Sequence, residues 1–426
     1  MERRFILLGI GWRGDIDPLI AIGHRLQAAG HEVLLVLPAG FEGHSVLPNT
    51  EVVIAPADLT FSLDLPPPSR WSLAAHSRSA ADWRRSGTLI ERRTRWVYGF
   101  LREHYLPGRT VVAARSGLFG ARIARETMDL RLATLHHSPA SLRSRIDSYR
   151  FPVPGGQEFH LRWMREVLWR MADTYIGNVV LPDLNRFRRS LDLPPVRRVF
   201  DQWAFSPDLN LGLFPPWFAE PQSDWPHTTR LTGFPLDDLE PTLPLPCEVD
   251  KFLAKGAAPI VFTRGSHGDT GGVFFQAARK ACAETGFRGI LLGHHDGAIT
   301  DSDDMLHLPF ASFRYLLPRV QALVHHGGIG TLALAMQAGT PQVVVPIVGD
   351  QWDHGRRVQQ MGAGVCLDPK VQKSRLAPVL VDLVQSDATK RRCIEVAQRM
   401  SHGNGIQAAS SWLETMAHAK QLPGMP

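Results

Sequence analysis

The chain has 426 residues, of which 44% are hydrophobic and 21% are charged. This composition excludes a disordered chain, and the length predicts two or three domains. The net charge of +6 is a small excess for this length. It suits a phosphorylated substrate or an anionic membrane surface, and it falls short of what nucleic-acid binding requires.

The cysteines and the apolar runs indicate where the protein resides. The four cysteines lie far apart and form no Cys-x-x-Cys pair, so the spacing predicts neither a zinc site nor a disulfide framework. The apolar run at residues 5–10 is too short for a signal peptide, and no run is long enough for a transmembrane helix. We therefore expect a cytoplasmic protein, with peripheral association at the inner membrane face as an open alternative.

The first predicted elements form a β-α-β unit. Residues 5–10 are continuously apolar and predict a buried strand. After a glycine-containing loop, Pro18 marks the first turn of a predicted helix and Gly30 marks its end. Residues 33–37 predict the next strand, so the fold class is α/β with a parallel sheet. Further strands are predicted at residues 50–55, 109–114 and 131–135.

A proline-rich segment at residues 213–246 divides the chain. Such a segment resists regular structure and predicts a domain boundary. The strand and helix pattern then restarts, with strands predicted at residues 259–263, 289–293, 322–325 and 342–346 and a helix at 273–285. We therefore predict two Rossmann-like parallel-sheet domains facing across a cleft, residues 1–235 and 251–426, with residues 236–250 as linker. The last helix could pack back on the first domain.

A glycine-rich turn follows the predicted strand at residues 322–325. Glycines let the backbone approach an anion, and the amino terminus of the next helix offers N–H groups and the positive end of its dipole. The pattern predicts a phosphate site, although a tight strand–helix turn without a ligand would look the same. The candidate residues are His326, Gly327, Gly328, Gly330 and Thr331.

A carboxylate–amide pair, Asp350 and Gln351, follows the next predicted strand. Parallel strands end at the same edge of a sheet, so we expect this pair beside the glycine-rich turn. A carboxylate accepts hydrogen bonds, and an amide both donates and accepts them, which suits neighbouring hydroxyl groups of a sugar. The two motifs together predict a site for a sugar diphosphate.

These motifs resemble the donor-binding signature of family 1 nucleotide-sugar glycosyltransferases, which have the GT-B architecture. The resemblance implies that His326, Gly328 and Thr331 bind the diphosphate of a dTDP- or UDP-linked sugar. It implies that Asp350 and Gln351 hold the sugar.

The same resemblance locates the rest of the donor. Residues 310–318 correspond to the family segment beside the nucleobase, where Phe310 or Phe313 could stack on the base. Core packing is the alternative for both rings. Ser266, beside Gly265, matches a family position near the nucleotide.

The segment Gly11-Trp-Arg-Gly-Asp15-Ile-Asp17-Pro18 resembles the Gly-x-x-Gly-Asp-Val-x-Pro segment of bacterial members. The resemblance implies that Asp15 is the catalytic base, and the alternative is an N-cap for the helix entered at Pro18. Asp15 and Asp17 also match an Asp-x-Asp metal motif of another glycosyltransferase architecture, but the strand–loop–helix context argues for the metal-free class. We therefore expect no metal, and no cofactor besides the nucleotide-sugar co-substrate.

Four residues are candidates for contact with the acceptor. Trp12 lies in the amino-terminal motif, and three polar residues end the predicted strand at 131–135. A partly buried loop position is the alternative for the two histidines among them. The three polar residues are His136, His137 and Ser138.

Longer segments, among them residues 163–170, 182–189 and 199–203, resemble the rhamnosyltransferases of rhamnolipid biosynthesis. This implies inverting transfer of a rhamnose-like deoxysugar to a hydroxyl of an apolar acceptor, such as a hydroxy fatty acid lipid. Arg264 and Trp352 stand where that pattern has glutamine and phenylalanine, so the sugar stays open. The alternatives are a glucosyl-type transferase acting on a small natural-product aglycone, and a catalytically inactive nucleotide-binding homologue.

Overall fold

The computed structural model separates into two units, residues 1–235 with 404–426 and residues 236–403. One unit carries a seven-stranded sheet and the other a six-stranded sheet. Within the described residues, no helix is both long and apolar enough to cross a membrane. The structure describes residues 2–11, 13–41, 50–59, 80–147, 162–199, 203–236, 244–265, 272–294, 302–347 and 349–418.

The sheet of the first unit has strands β1 (Arg4–Leu8), β2 (Glu32–Pro38), β3 (Glu51–Ala55), β4 (Thr110–Arg115), β5 (Arg131–His136), β6 (Leu209–Gly212) and β7 (Thr229–Leu231). Their order is β3-β2-β1-β4-β5-β6-β7, and neighbouring strands run parallel. Residues 5–8 of β1 are fully buried because helices cover both faces of the sheet, as the continuous apolar run predicts. Its helices are α1 (Arg13–Ala28), α2 (Ala80–His104), α3 (Phe119–Thr127) and α4 (Arg162–Arg189).

Helix α1 begins earlier than the sequence predicts. It starts at Arg13, and Pro18 lies inside it, at the cost of a backbone hydrogen bond to the carbonyl of Gly14. Asp15 therefore lies within the first turn, and the alternative that it is an N-cap for a helix entered at Pro18 is wrong.

The second unit has strands β8 (Ile260–Thr263), β9 (Gly289–Leu292), β10 (Met305–Leu308), β11 (Ala322–His325), β12 (Gln342–Val344) and β13 (Gly364–Cys366). Their order is β10-β9-β8-β11-β12-β13, again with parallel neighbours. The predicted strands of this half and the helix at 273–285 are all present. Its helices are α5 (Cys247–Ala254), α6 (Val273–Thr285), α7 (Phe313–Leu316), α8 (Ile329–Ala338), α9 (Gln351–Gln360), α10 (Gln372–Gln385) and α11 (Asp387–Ser401).

The last helix, α12 (Gly405–His418), belongs to the first unit. It packs on α1, β4 and β5, and its Leu413 and Met416 are fully buried. At its start the chain crosses close to Phe234, because a Cβ on Gly405 would lie 2.4 Å from the backbone oxygen of Phe234. Only glycine fits this crossing without a shift of the backbone.

We expect Gly405→Ala to lower the free energy of unfolding by about 1–3 kcal/mol, because the new methyl group overpacks a backbone contact. Gly403→Ala is the matched control, because the nearest atom to a Cβ there, the oxygen of Met400, is 3.7 Å away. Urea unfolding followed by circular dichroism measures both. Equal stability of the two variants would contradict the close crossing.

Candidate functional site

Three adjacent strands of the first unit, β1, β4 and β5, bring a charged cluster to their carboxyl ends. Asp15 Oδ1 lies 3.0 Å from Arg115 Nε and 3.6 Å from His137 Nδ1. Asp15 and His137 are each only 8% exposed. A Cβ on Gly11 would lie 2.4 Å from Asp15 Oδ2, so glycine at position 11 makes room for the carboxylate. The structure thus joins two of the predicted residues, Asp15 and His137, at the sheet edge where ligands bind in α/β folds.

Two guanidinium groups in this cluster were not predicted from the sequence. Arg115 ends β4, and Arg93 comes from α2. Burial, and then the positive charge of Arg115, lower the pKa of Arg93 to about 10. The only signal for Arg115 was its place after the strand predicted at residues 109–114, and no sequence motif singled out Arg93.

His136 and Ser138 have structural contacts. The His136 ring is fully buried between Ser141 Oγ at 3.0 Å and Asn210 Oδ1 at 3.2 Å, so it presents no surface to an acceptor in this structure. Ser138 Oγ accepts a hydrogen bond from the N–H of Ala140 at the start of a short 3-10 turn. Trp12, the remaining acceptor candidate, lies outside the described residues.

In the second unit, the glycine-rich turn is held by two buried histidines. His325 Nδ1 accepts from the N–H of Gly327 at 3.1 Å, so its Nε2 carries the proton and donates to Gln342 Oε1 at 3.0 Å. His354 Nδ1 lies 2.7 Å from the carbonyl oxygen of Gly327 and donates to it. Gly327 itself has φ +91°, a conformation that favours glycine. The backbone N–H and the carbonyl oxygen of Gly327 are therefore both held by side chains of the protein itself.

Acid should destabilise both units through their buried histidines. Burial lowers the pKa of His136 and of His325 from 6.5 to about 4. Between these values the unfolded chain binds the proton and the folded chain does not. Each histidine therefore lowers the free energy of unfolding by about 1.4 kcal/mol per pH unit as the pH falls below 6.5.

Urea unfolding at about pH 7 and pH 5 measures this loss. His325→Gln should lose less stability over that interval than the wild type, and His402→Gln, an exposed control, should match the wild type. An identical loss in all three proteins would contradict the burial of a neutral His325.

The ring of His326 lies against two glycines. A Cβ on Gly265 would be 2.4 Å from His326 Cε1, and a Cβ on Gly328 would be 2.5 Å from His326 Nε2. His326 is 7% exposed. Gly265 follows β8, and Gly328 follows β11, which is the neighbour of β8 in the sheet. The ring therefore lies between the loops at the carboxyl ends of these two strands. Ser266 lies outside the described residues.

The amino terminus of α8 is open. Its N-cap is Gly328, and no side chain caps it with a hydrogen bond. A Cβ on Gly330 would meet no atom within 4 Å, and Thr331 is only half-buried. An uncapped helix start offers N–H groups and a partial positive charge to an anion.

The start of α9 packs against the same turn. A Cβ on Gly327 would lie 3.1 Å from the backbone oxygen of Gln351, so the two predicted motifs are in contact. The side chain of Gln351 is 5% exposed, and its Oε1 accepts from the N–H of Ile347 at 2.7 Å. The Asp350 side chain is 46% exposed, 3.9 Å from His354 Nε2. Asp350 therefore faces solvent beside the turn, while Gln351 holds the loop that precedes α9.

The two phenylalanines proposed for the nucleobase differ. Phe310 follows β10 at its carboxyl end and is 45% exposed. Phe313 is partly buried and packs on the apolar cluster that contains Leu316 and Leu317. Phe313 thus contributes to the core, whereas nearly half of the surface of Phe310 is exposed to solvent. Within the described ranges, no three His, Cys, Asp or Glu side chains are grouped so that they could hold a metal ion.

A buried ion network on α9 was also missed by sequence reasoning. Asp353 is 1% exposed and lies 2.7 Å from both Arg356 Nη2 and Arg357 Nε. Burial acts to raise the pKa of Asp353, but Arg357 and Arg356 outweigh it and hold the pKa below its usual range. The network fixes the helix that carries Gln351 and His354.

Known proteins match this chain in sequence and in fold. The family model for the erythromycin biosynthesis protein CIII-like C-terminal domain matches residues 302–407. O-mycaminosyltylonolide 6-deoxyallosyltransferase from Streptomyces fradiae is 28% identical, with 99% of this chain and 100% of the relative aligned. The alignment thus covers both units and both motifs.

Two solved structures share the fold. The glycotransferase of kitacinnamycin superposes with a TM-score of 0.71 at 16% identity, over 98% of this chain and 100% of that one. Spinosyn rhamnosyltransferase SpnG complexed with thymidine diphosphate has a TM-score of 0.64 at 17% identity, over 97% and 100% of the two chains. Taken together with the two parallel-sheet units, these similarities identify the chain as a glycosyltransferase with the GT-B fold.

Proposed function

We propose that this glycosyltransferase moves a rhamnose-like 6-deoxysugar from a dTDP- or UDP-linked donor to a hydroxyl group of an apolar acceptor, with inversion and without a metal. The main support for the proposal is the uncapped start of α8, directly after the glycine-rich turn that contains His326. The names of the Streptomyces fradiae relative, a 6-deoxyallosyltransferase, and of the thymidine diphosphate complex of SpnG support this donor class.

The diphosphate is proposed to bind at the first turn of α8. The backbone N–H groups there and the Thr331 hydroxyl can donate to phosphate oxygens, and the neighbouring imidazole of His326 can add another donor. His325 and His354 fix the backbone of the turn, so the donors need little reorganisation as charge develops on the leaving diphosphate. This arrangement supplies the electrostatic stabilisation that a metal ion provides in other transferases.

The sugar and the base are proposed to extend from this point. The exposed carboxylate of Asp350 accepts hydrogen bonds from the sugar hydroxyls. Gln351 supports the sugar site by holding the loop before α9 through its hydrogen bond with Ile347. Phe310, which is 45% exposed, is proposed to contact the nucleobase, with Ser266 as a further nucleotide contact.

Asp15 is proposed as the catalytic base of the first unit. As the acceptor oxygen attacks the anomeric carbon, its proton passes to the Asp15 carboxylate and the bond to the diphosphate oxygen breaks. Arg115 and His137 hold that carboxylate at the sheet edge. Among the residues predicted to contact the acceptor substrate, His137 has the best support, because it lies in the same cluster as Asp15.

For the acceptor, a hydroxylated natural-product molecule is favoured, because the Streptomyces fradiae relative is named for the acceptor O-mycaminosyltylonolide. A hydroxy fatty acid lipid of the rhamnolipid type is the second candidate. Incubation with dTDP-rhamnose, dTDP-glucose and UDP-glucose and each acceptor class, with products identified by mass spectrometry, tests the proposal. Nucleotide binding with neither transfer nor donor hydrolysis would instead indicate an inactive homologue.

His326→Ala should lower turnover by about 10²-fold, because one preorganised donor to the leaving diphosphate is lost. Its affinity for dTDP, measured by calorimetry, should fall as well. His402→Ala, a substitution of an exposed histidine of the same unit, should change neither quantity. Unchanged dTDP affinity in His326→Ala would remove His326 from the donor site.

A further inference from the structure

The carboxylate of Asp350 does not support its own helix. Asp350 is the N-cap residue of α9, a position where an aspartate side chain commonly accepts a hydrogen bond from the first turn, but its side chain makes no such bond here. The side chain is instead 46% exposed, and its Oδ2 lies 3.9 Å from Nε2 of His354, one turn further along α9. The carboxylate is thus open to solvent and has the His354 ring beside it.

The other ring nitrogen of His354 contacts the glycine-rich turn. The ring is 1% exposed, and its Nδ1 donates to the carbonyl oxygen of Gly327 at 2.7 Å. Because that oxygen can only accept, Nδ1 carries a proton in either charge state of the ring, and Nε2 is the nitrogen beside Asp350. One buried side chain therefore contacts both motifs of the proposed donor site.

The hydrogen bond from His354 also sets the direction of a backbone N–H group. The carbonyl oxygen of Gly327 and the N–H of Gly328 belong to one planar peptide, in which the two groups point in opposite directions. With the oxygen held by His354, the N–H of Gly328 points away from that ring. Gly328 lies beside His326, because a Cβ on Gly328 would be 2.5 Å from His326 Nε2. This N–H is thus one of the donors proposed for the diphosphate.

We propose that His354 is a positioning residue that couples recognition of the donor sugar to binding of the diphosphate, an inference that rests on the donor site proposed above. Nδ1 holds the Gly327 carbonyl and so aims the Gly328 N–H, and Nε2 holds the Asp350 carboxylate where the sugar hydroxyls bind. Because the ring is rigid and buried, it cannot shift at one contact without shifting at the other. A sugar that engages Asp350 therefore stabilises the turn that binds its diphosphate, and dTDP alone does not.

Two substitutions separate the two contacts of the ring. The amide nitrogen of asparagine is as many bonds from the backbone as Nδ1 of histidine, and that of glutamine is as many as Nε2. His354→Asn should therefore keep the bond to Gly327 and lose the contact with Asp350, and His354→Gln should do the reverse. We expect His354→Gln to weaken dTDP binding by about fivefold, the effect of one hydrogen bond, and His354→Asn to weaken it by less than about twofold.

Calorimetry with dTDP and with dTDP-rhamnose measures the coupling. Asp350→Asn should weaken the binding of dTDP-rhamnose by about two- to fivefold more in the wild-type background than in the His354→Asn background, the range of a partly exposed charge contact. The binding of dTDP should show no such difference between the two backgrounds. His402→Asn, a substitution of an exposed histidine of the same unit, should match the wild type with both ligands.

Hydrogen exchange of the ligand-free protein tests the contact with the turn separately. Amides of residues 325–331 should exchange faster in His354→Gln than in His354→Asn. If both His354 variants bound dTDP and dTDP-rhamnose more weakly by one common factor, His354 would have a purely structural role, and the inference would fail while the donor site stands. A wild type that binds neither ligand would overturn the proposed function and this inference with it.

Discussion

Replacing Asp15 with asparagine should lower kcat by about 10²–10⁴-fold and leave the protein folded. An acceptor hydroxyl is too weak an acid to lose its proton unaided at neutral pH, so attack on the anomeric carbon needs a positioned base. Asparagine keeps the size of the side chain and cannot take the proton. Initial rates of sugar transfer at saturating donor measure the effect.

The control for this prediction is Asp17→Asn, which removes the same charge from α1 at a position two residues after Asp15. Its rate should stay near that of the wild type. Because Asp15 is also paired with Arg115, thermal unfolding of both variants should show that any loss of rate is not a loss of fold. A rate for Asp15→Asn close to the wild-type rate would exclude Asp15 as the base.

Asp353→Ala should lower the free energy of unfolding of the second unit by about 3–5 kcal/mol. Asp353 lies between Arg356 and Arg357, and all three side chains are buried. Removing the carboxylate leaves two guanidinium groups buried without their counter-charge. Because α9 carries His354, which bonds to Gly327, the variant should also bind donor nucleotide less tightly.

Denaturant unfolding followed by hydrogen exchange of peptides covering residues 351–366 assigns the transition to the second unit. Asp387→Ala is the control, because Asp387 is 81% exposed and its pair with Lys390 is a surface contact. That variant should lose no more than about 1 kcal/mol. Equal losses in the two variants would show that the buried network contributes no special stability.

Much of the fold follows from local patterns. Continuous apolar runs predict strands such as β1, β8 and β11, because a parallel sheet covered on both faces buries every side chain of its strands. The glycine-rich turn was recognisable because glycines and a helix start occur together in the sequence. The start of α1 was less predictable, since Pro18 usually marks a first turn and here lies inside the helix.

The missed residues depend on contacts that no local pattern contains. β1 pairs with β4, although α1, β2, β3 and α2 lie between them in the chain, and this pairing alone brings Arg115 to Asp15. His354 reaches the carbonyl of Gly327 from the following helix, so its role in the turn appears only after folding. The packing of α12 on α1, β4 and β5 is equally nonlocal, and the sequence offered it only as one possibility for the last helix.

The decisive experiment is a crystal structure of the protein with bound dTDP. The two phosphates should lie at the first turn of α8, in contact with backbone N–H groups of residues 328–331 and with His326. Phosphates bound elsewhere, with that turn still open, would contradict the proposed donor site and the mechanism derived from it.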